Sequence, residues 1–223
     1  MLLLLGIMSQ SCSLISKGKG EIIEGQVIYK ITYPEEANSH NMSFLFPKEM
    51  HLFFKDDKQK ATFKGSMNLY SLDFIHLNKS DSFFTLLQVL DRKLYVPASN
   101  SGDIFLFQNY SNEKVIFSEG KTRNIAGFKC EMAEIKPANS KIPDITIWYT
   151  EEIGVNNPNR NTPFEKIPGL MLDFEVNYQN IAFHFKADKV ISIEVPEDVF
   201  MVPESYSKSS ISEIEEMIQG VIN

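Results

Sequence analysis

The stretch Leu170-Met171-Leu172-Asp173-Phe174-Glu175-Val176-Asn177-Tyr178, followed after Gln179-Asn180 by Ile181-Ala182-Phe183-His184-Phe185-Lys186-Ala187, decides the fold class. Leu170, Leu172, Phe174, Val176 and Tyr178 alternate with Asp173, Glu175 and Asn177, and Ile181, Phe183 and Phe185 alternate with His184 and Lys186. Successive side chains of a strand point to opposite faces, so a period of two reads as two neighbouring strands, each with one dry and one wet face.

The pattern extends in both directions. Residues 128–135 and 145–150 before this stretch, and 190–195 after it, read as further strands in an antiparallel meander. Near the N-terminus, Val27, Tyr29, Ile31 and Tyr33 point one way and Gln26, Lys30 and Thr32 the other, until Pro34 ends the run. Residues 50–55 and 60–64 read as a hairpin around the turn Asp56-Asp57-Lys58-Gln59. Residues 68–77 and 83–90 are also expected to be strands, although Phe83, Phe84, Leu86, Leu87 and Leu90 would equally make a helical stripe. One helix is predicted at 210–222, where Ser210 and Glu213 have capping-box spacing and Ile211, Ile214, Met217, Ile218 and Val221 form an apolar stripe. It is expected to dock on the sheet as a partial lid. The connection 151–169 holds Pro158, Pro163, Pro168 and four asparagines, and loops of that length are usually functional or mobile.

Composition supports a mainly β class. The 223 residues, 43% apolar, suffice for one core, and 17 Phe and 8 Tyr suit a pleated, half-buried surface. A single β-rich domain is expected over 25–223. The net charge of −7, with lysines dispersed, offers no basic stripe for phosphates, so nucleic acid is not an expected partner.

Met1 to Met8 form an apolar run that ends at Ser9-Gln10-Ser11-Cys12. The run is short of the roughly 20 residues that cross a bilayer but long enough for a signal-peptide core. Residues 1–11 are therefore read as an export signal. Cys12, directly after a small residue, resembles the bacterial lipobox cysteine, which receives a diacylglycerol and becomes the first residue of the mature chain. Two departures stand beside this likeness: Ser9 occupies a position usually held by a bulky aliphatic residue, and no Lys or Arg precedes the apolar core. An ordinary cleaved signal with an incidental cysteine is the alternative. Residues 12–24, with Ser16-Lys17-Gly18-Lys19-Gly20, then make a flexible tether. The implied address is the cell envelope, on the periplasmic side of the outer membrane if Cys12 is acylated and free in the periplasm if not. The second cysteine, Cys130, shares a face with Phe128 and Met132 and reads as a buried small hydrophobe.

The search for chemistry is mostly negative. Gly20 and Gly25 have phosphate-loop separation, but Gln26 and Val27 follow where lysine and a hydroxyl residue are required. His40, His51, His76 and His184 are far apart, with no second histidine one turn away, so no metal site is expected. His184 falls on a wet face and reads as solvated. No Gly-x-Ser-x-Gly elbow occurs, and the acid pairs Asp56-Asp57, Glu151-Glu152 and Glu215-Glu216 read as solvated charge. No catalytic residues, no cofactor and no enzymatic activity are expected.

The segments Ile125-Ala126-Gly127-Phe128-Lys129-Cys130-Glu131-Met132-Ala133, Ile147-Trp148-Tyr149-Thr150-Glu151-Glu152-Ile153 and Ile167-Pro168-Gly169-Leu170-Met171-Leu172 resemble a family of Gram-negative envelope proteins of unknown function. That family is close to the one named for its Gly-Leu-Pro-Gly-Leu-Ile motif, which here reads Lys166-Ile167-Pro168-Gly169-Leu170-Met171. Pro47-Lys48-Glu49-Met50, Phe200 and Val202-Pro203-Glu204-Ser205-Tyr206 are similar to other parts of it. The resemblance implies an architecture like the LolA and LolB lipoprotein carriers, an incomplete antiparallel barrel whose concave apolar face is partly covered by helices. It implies less about activity, because function belongs to the site.

Two functional readings follow. At least five apolar-faced strands share one convincing helix, so the sheet either curls to fill its own interior or leaves a groove for an acyl chain or similar lipid. In the groove reading, Phe174, Val176, Phe183 and Phe185 line the dry side beneath Ile214 and Met217. In the alternative reading the tethered domain is a structural or assembly partner of an outer-membrane protein, through its wet face or the loop ending at Gly169. Trp148 serves as an interface anchor in the second reading, or packs under the long loop.

Overall fold

Alternating apolar residues recur along most of the chain, and the strands they form join into one sheet. The protein is seen in a computed structural model that describes residues 22–35, 43–98, 114–137, 143–160, 162–178 and 181–222. Its strands are β1 (Glu24–Thr32), β2 (Glu49–Lys55), β3 (Lys58–Lys64), β4 (Tyr70–Leu77), β5 (Ser82–Val89), β6 (Arg92–Ala98), β7 (Lys114–Ile125), β8 (Phe128–Lys136), β9 (Ile145–Thr150), β10 (Leu170–Tyr178), β11 (Ile181–Ile191) and the two-residue β12 (Ser207–Lys208). Their spatial order is β12-β6-β5-β4-β3-β2-β1-β11-β10-β9-β8-β7. Two antiparallel meanders, β1 to β6 and β7 to β11, are thus joined by the antiparallel β1–β11 pair. The end strands β12 and β7 do not pair, so the sheet is an incomplete barrel, as expected.

Several elements differ from the sequence reading. The hairpin turn is two residues, Asp56-Asp57, because Lys55 already pairs with Lys58. Asp56 takes a φ of 51°, the left-handed region that a short polar side chain tolerates. Residues 82–89 are a strand, which settles the helix alternative. Strands β6, β7 and β12 carry too little alternation to be read in advance. Of the separate strand expected at 190–195, Val190 and Ile191 are instead the end of β11, and 192–195 are not strand. One extra residue there, Asp188, sits where the pairing jumps from Lys189 opposite Ile28 to Ala187 opposite Tyr29. That bulge moves the inward positions from odd to even numbers, which mimics a strand break.

Strands β4 and β5 are covered on both faces. Leu72 and Leu87 belong to the main core, whereas Ile75 and Leu86 belong to a second apolar cluster with Val195 and Phe200. The chain after β11 is therefore a strap across the outer face. Its start is pinned by charge: Glu24 accepts the Val195 N–H at 2.6 Å, and Glu197 lies 2.5 Å from Lys58 and 3.4 Å from Lys55.

The helix α1 (Ile211–Ile222) follows the strap and docks as a lid, with Ile214 fully buried and Ile218 nearly so. Ser210 caps it by accepting the Glu213 N–H at 3.3 Å. The Glu213 carboxylate does not complete the box; it engages Ser209 and Arg92, which ties the helix to β6.

The connection 151–169 is a built plug. Phe164 and Ile167 are buried in the core, and Ile153 bridges in parallel to Ile22. Buried Asn159 donates from Nδ2 to the carbonyls of Ile167 and Gly169, both at 2.9 Å. Gln59 of β3 and Asn78 of the turn after β4 donate to the carbonyls of Pro158 and Asn156. Gly169 is required where it lies, because a Cβ would meet the Thr150 carbonyl oxygen at 2.2 Å. The fold takes in Ile22 and Glu24, on the side of Gly25 read as tether. Residues 1–21, and with them Cys12 and the export signal, lie outside the described residues. No helix among the described residues is long and apolar enough to cross a membrane.

Candidate ligand-binding cavity

The inward positions of β1 to β5 and of β10 and β11 enclose a partly open cavity of about 240 Å³. Across β2 to β5 the register sets its wall in rows: Met50, Phe63, Leu72 and Leu87 in one, Leu52, Ala61, Phe74 and Thr85 in the next, and Gln59, His76 and Phe83 in a third. The plug contributes Pro158, Asn159, Thr162 and Phe164, and α1 contributes Ile218. Phe174, Val176, Phe183 and Phe185 all line the cavity.

Three of them, Phe174, Phe183 and Phe185, form an aromatic seam with Phe63 and Tyr33. The rings of Phe174 and Phe185 stack with centroids 4.9 Å apart, Phe185 meets the edge of Phe63 at 6.0 Å, and Phe183 meets Tyr33 at 5.3 Å. Each such pair adds about 0.5–1.5 kcal/mol beyond area burial. Phe185 is 4% exposed, whereas Phe183 is only partly buried and presents a face to the cavity. Of the helix residues expected above the seam, Ile214 is buried and Met217 partly so, and Ile218 is the one that lines the cavity.

The few polar groups in the wall are mostly turned to the protein. The Tyr29 hydroxyl donates to the Met171 carbonyl at 2.8 Å and that of Tyr70 to Leu45 at 3.1 Å. Burial pushes both phenols well above their ordinary pKa. Thr162 Oγ1 donates to the Asn159 carbonyl at 2.6 Å. His76 is 8% exposed and stacked on Phe83 at 3.9 Å, and its Nε2, itself buried, finds no hydrogen-bond partner among the described residues. Burial lowers its pKa to about 4; Asp81 opposes the shift and Arg160 adds to it. It is neutral at pH 7. Sequence reading passed over His76 because it searched for paired histidines; the available signal was its place in the alternation Leu72, Phe74, His76.

The other singled-out residues lie elsewhere. Cys130 is fully buried, and burial pushes its thiol up to about 12, which suits the inert hydrophobe expected. His184 is not merely solvated: its Nε2 lies 2.8 Å from Asp173 Oδ1 and its Nδ1 3.2 Å from Thr32 Oγ1. Asp173 also binds Arg123 at 2.5 Å, and the Arg123 guanidinium lies 4.4 Å over the half-buried Trp148 ring. Among the described residues, no group of three or more His, Cys, Asp or Glu is placed to hold a metal.

No family model and no curated protein matches this chain. Among solved structures it is similar to a β-barrel-like protein of the domain of unknown function DUF1849 from Brucella abortus, with a TM-score of 0.38 and 7% identity over 78% of this chain and 99% of that one. It is also similar to LprF from Mycobacterium bovis, with a TM-score of 0.28 and 10% identity over 82% of this chain and 90% of that one.

Proposed function

We propose that this domain is a non-catalytic binder or carrier of a hydrophobic ligand, tethered to the cell envelope through acylated Cys12. The observation that carries the reading is the apolar cavity of about 240 Å³ with Phe174, Val176, Phe183 and Phe185 in its wall. The space is lined almost wholly by apolar side chains, so water that enters from its open side finds few hydrogen-bond partners there. A sequence selected only for a closed core would fill the space with larger side chains. Engineered apolar cavities of about 150 Å³ stay dry and take up benzene, and this larger one has a similar lining. Its size is just under the roughly 300 Å³ at which drug-sized sites begin, which fits one acyl chain better than a multi-chain lipid.

The address within this reading is the periplasmic side of the outer membrane, and the motif resemblance of residues 125–133 and 166–171 to the unknown-function envelope family accords with it. The test is titration of the full chain carrying Cys12→Ser with a fluorescent fatty-acyl probe. Saturable uptake at one probe per chain supports the reading, and absence of uptake at micromolar protein overturns it.

A further inference from the structure

The two ends of the β1–β6 meander carry unlike turns. At the end held by the plug, the β2–β3 turn is Asp56-Asp57 and the β4–β5 turn is Asn78-Lys79-Ser80-Asp81, where Asn78 and Asp81 meet the plug at Asn156 and Arg160. The residues that take a left-handed backbone there are Asp56 (φ 51°) and Asp81 (φ 52°). At the other end, in the turns after β3 and β5, it is Met67 (φ 58°), Asn68 (φ 55°) and Leu90 (φ 52°). Short polar side chains tolerate that conformation, whereas Met and Leu adopt it at a cost. Met67 is nevertheless 81% exposed and Leu90 65%, and Phe44, ahead of β2, is 59% exposed.

These three lie on one continuous rim. Ser66 Oγ donates to the Phe44 carbonyl at 2.5 Å, and the Leu90 N–H donates to the Leu69 carbonyl at 3.0 Å. The Tyr70 hydroxyl, donating to Leu45, joins the rim to the cavity, whose wall at this end includes Phe46, Pro47 and Tyr70. Exposed Lys48 and Lys64 flank it and pair with no carboxylate among the described residues. Nearby Glu49 and Glu213 are taken up by Lys30 and Arg92, which leaves Asp91 as the acid of these turns, in a chain of net charge −7. A single exposed apolar side chain needs no account, but three on adjoining turns, two of them in a costly backbone conformation, mark a surface built for something outside the chain. Separate apolar side chains with cations between them match a bilayer interface, where headgroups fit around each side chain and anionic lipids attract lysine. The centre of a protein interface is instead depleted of charge.

We infer that this rim, Phe44, Met67 and Leu90 with Lys48 and Lys64, seats the end of the domain away from the plug on an anionic lipid bilayer. Docking does not depend on the reading that the cavity holds a ligand. Where both hold, it brings the cavity wall at Phe46 and Tyr70 to the surface from which an acyl chain enters.

The test uses the full chain carrying Cys12→Ser, which has no acyl group, in flotation with vesicles of phosphatidylethanolamine and phosphatidylglycerol or of phosphatidylcholine alone. The apolar run Met1 to Met8 is common to every variant, so differences between variants report the rim. The triple variant Phe44→Ser, Met67→Ser, Leu90→Ser is expected to bind anionic vesicles roughly tenfold or more weakly, and Lys48→Gln with Lys64→Gln to lose roughly fivefold per lysine on them with little change on phosphatidylcholine. Ile193→Ser with Met201→Ser, which removes exposed apolar side chains of the strap, should change nothing. Because Cys130 is buried, a single introduced thiol gives a second reading: a polarity-sensitive fluorophore on Met67→Cys should shift to the blue on anionic vesicles, and one on Lys79→Cys at the plug end should not. Equal binding by the parent and the triple variant, an equal loss in the strap variant, or an unmoved Met67 label overturns the docking. A dimer that the triple variant fails to form, without vesicle binding by the parent, also overturns it and assigns the rim to a second copy. Acyl-probe uptake in the absence of vesicles should be the same in the parent and the triple variant, so the docking and the cavity reading fail separately.

Discussion

Phe183 and Phe185 sit two residues apart on one strand and face the same cavity, yet glutamine should act differently at the two positions. Phe185 is 4% exposed, stacked between Phe174 and Phe183, and in edge contact with Phe63. Phe185→Gln removes a fully packed ring and buries an amide, which we expect to cost about 3–5 kcal/mol. Phe183 is partly buried, makes its main aromatic contacts with Tyr33 and Phe185, and has a face free in the cavity. Phe183→Gln loses aromatic pairing of about 0.5–1.5 kcal/mol while its amide can reach water in the open space, so about 1–2 kcal/mol of stability is expected to go. For a chain of this size 1 kcal/mol moves the midpoint by about 2–4 °C, and the two variants separate in a thermal scan. Binding should rank the other way relative to stability, with Phe183→Gln folded at 25 °C but several-fold weaker for the fluorescent acyl probe. If Phe183→Gln unfolds as early as Phe185→Gln, or stays folded and binds as well as the parent, Phe183 is not a cavity wall in the sense argued.

Stability should fall as pH drops from about 6.5 to about 4, because the unfolded His76 takes up a proton near 6.5 while the folded one stays neutral to about 4. The full shift corresponds to about 3 kcal/mol, or roughly 2 after allowance for solvent at the open side of the cavity; urea titrations of His76→Phe should lose this part of the slope. Glu24, Glu49 and Glu197, held below the ordinary carboxylate range by hydrogen bonds, add losses only as pH falls below about 4.5. Asn159→Ala strands the carbonyls of Ile167 and Gly169 and should cost about 2–4 kcal/mol in urea unfolding, with faster proteolysis within 151–169; an unchanged cleavage rate would mean that the plug does not depend on this side chain. Cys12→Ser should move the protein from the detergent phase to the aqueous phase in a phase-partition assay, since two acyl chains anchor stably where one does not; wild-type protein already in the aqueous phase would end the tether proposal.

Much of the fold was legible because alternation is a direct consequence of burial on one side. Residues 170–178 and 181–187 carried that signal cleanly, and the order of the C-terminal meander followed from it. Strand β7 escaped because it is the edge of the sheet and mostly exposed, with Ser118-Glu119-Gly120-Lys121 in an irregular register opposite β8. Strand β6 holds Pro97, which argues against a strand unless the missing N–H faces an edge. Alternation also says nothing about a second cover: Ile75 and Leu86 are apolar because the strap lies over them, a contact made more than a hundred residues away in sequence. The seam of the cavity was readable from the dry faces of β10 and β11. The burial of His76 was not, since it depends on what the third row of the wall places beside it.

The most direct test of the central claim is native mass spectrometry of the full chain carrying Cys12→Ser, purified without detergent and then incubated with dodecanoic acid. The account predicts a single 1:1 adduct that grows saturably with acid concentration and is weakened in Phe183→Gln. Bare protein at every concentration, or unsaturable multiple adducts that are indifferent to Phe183→Gln, would contradict it and leave the concave face as an ordinary, imperfectly filled core.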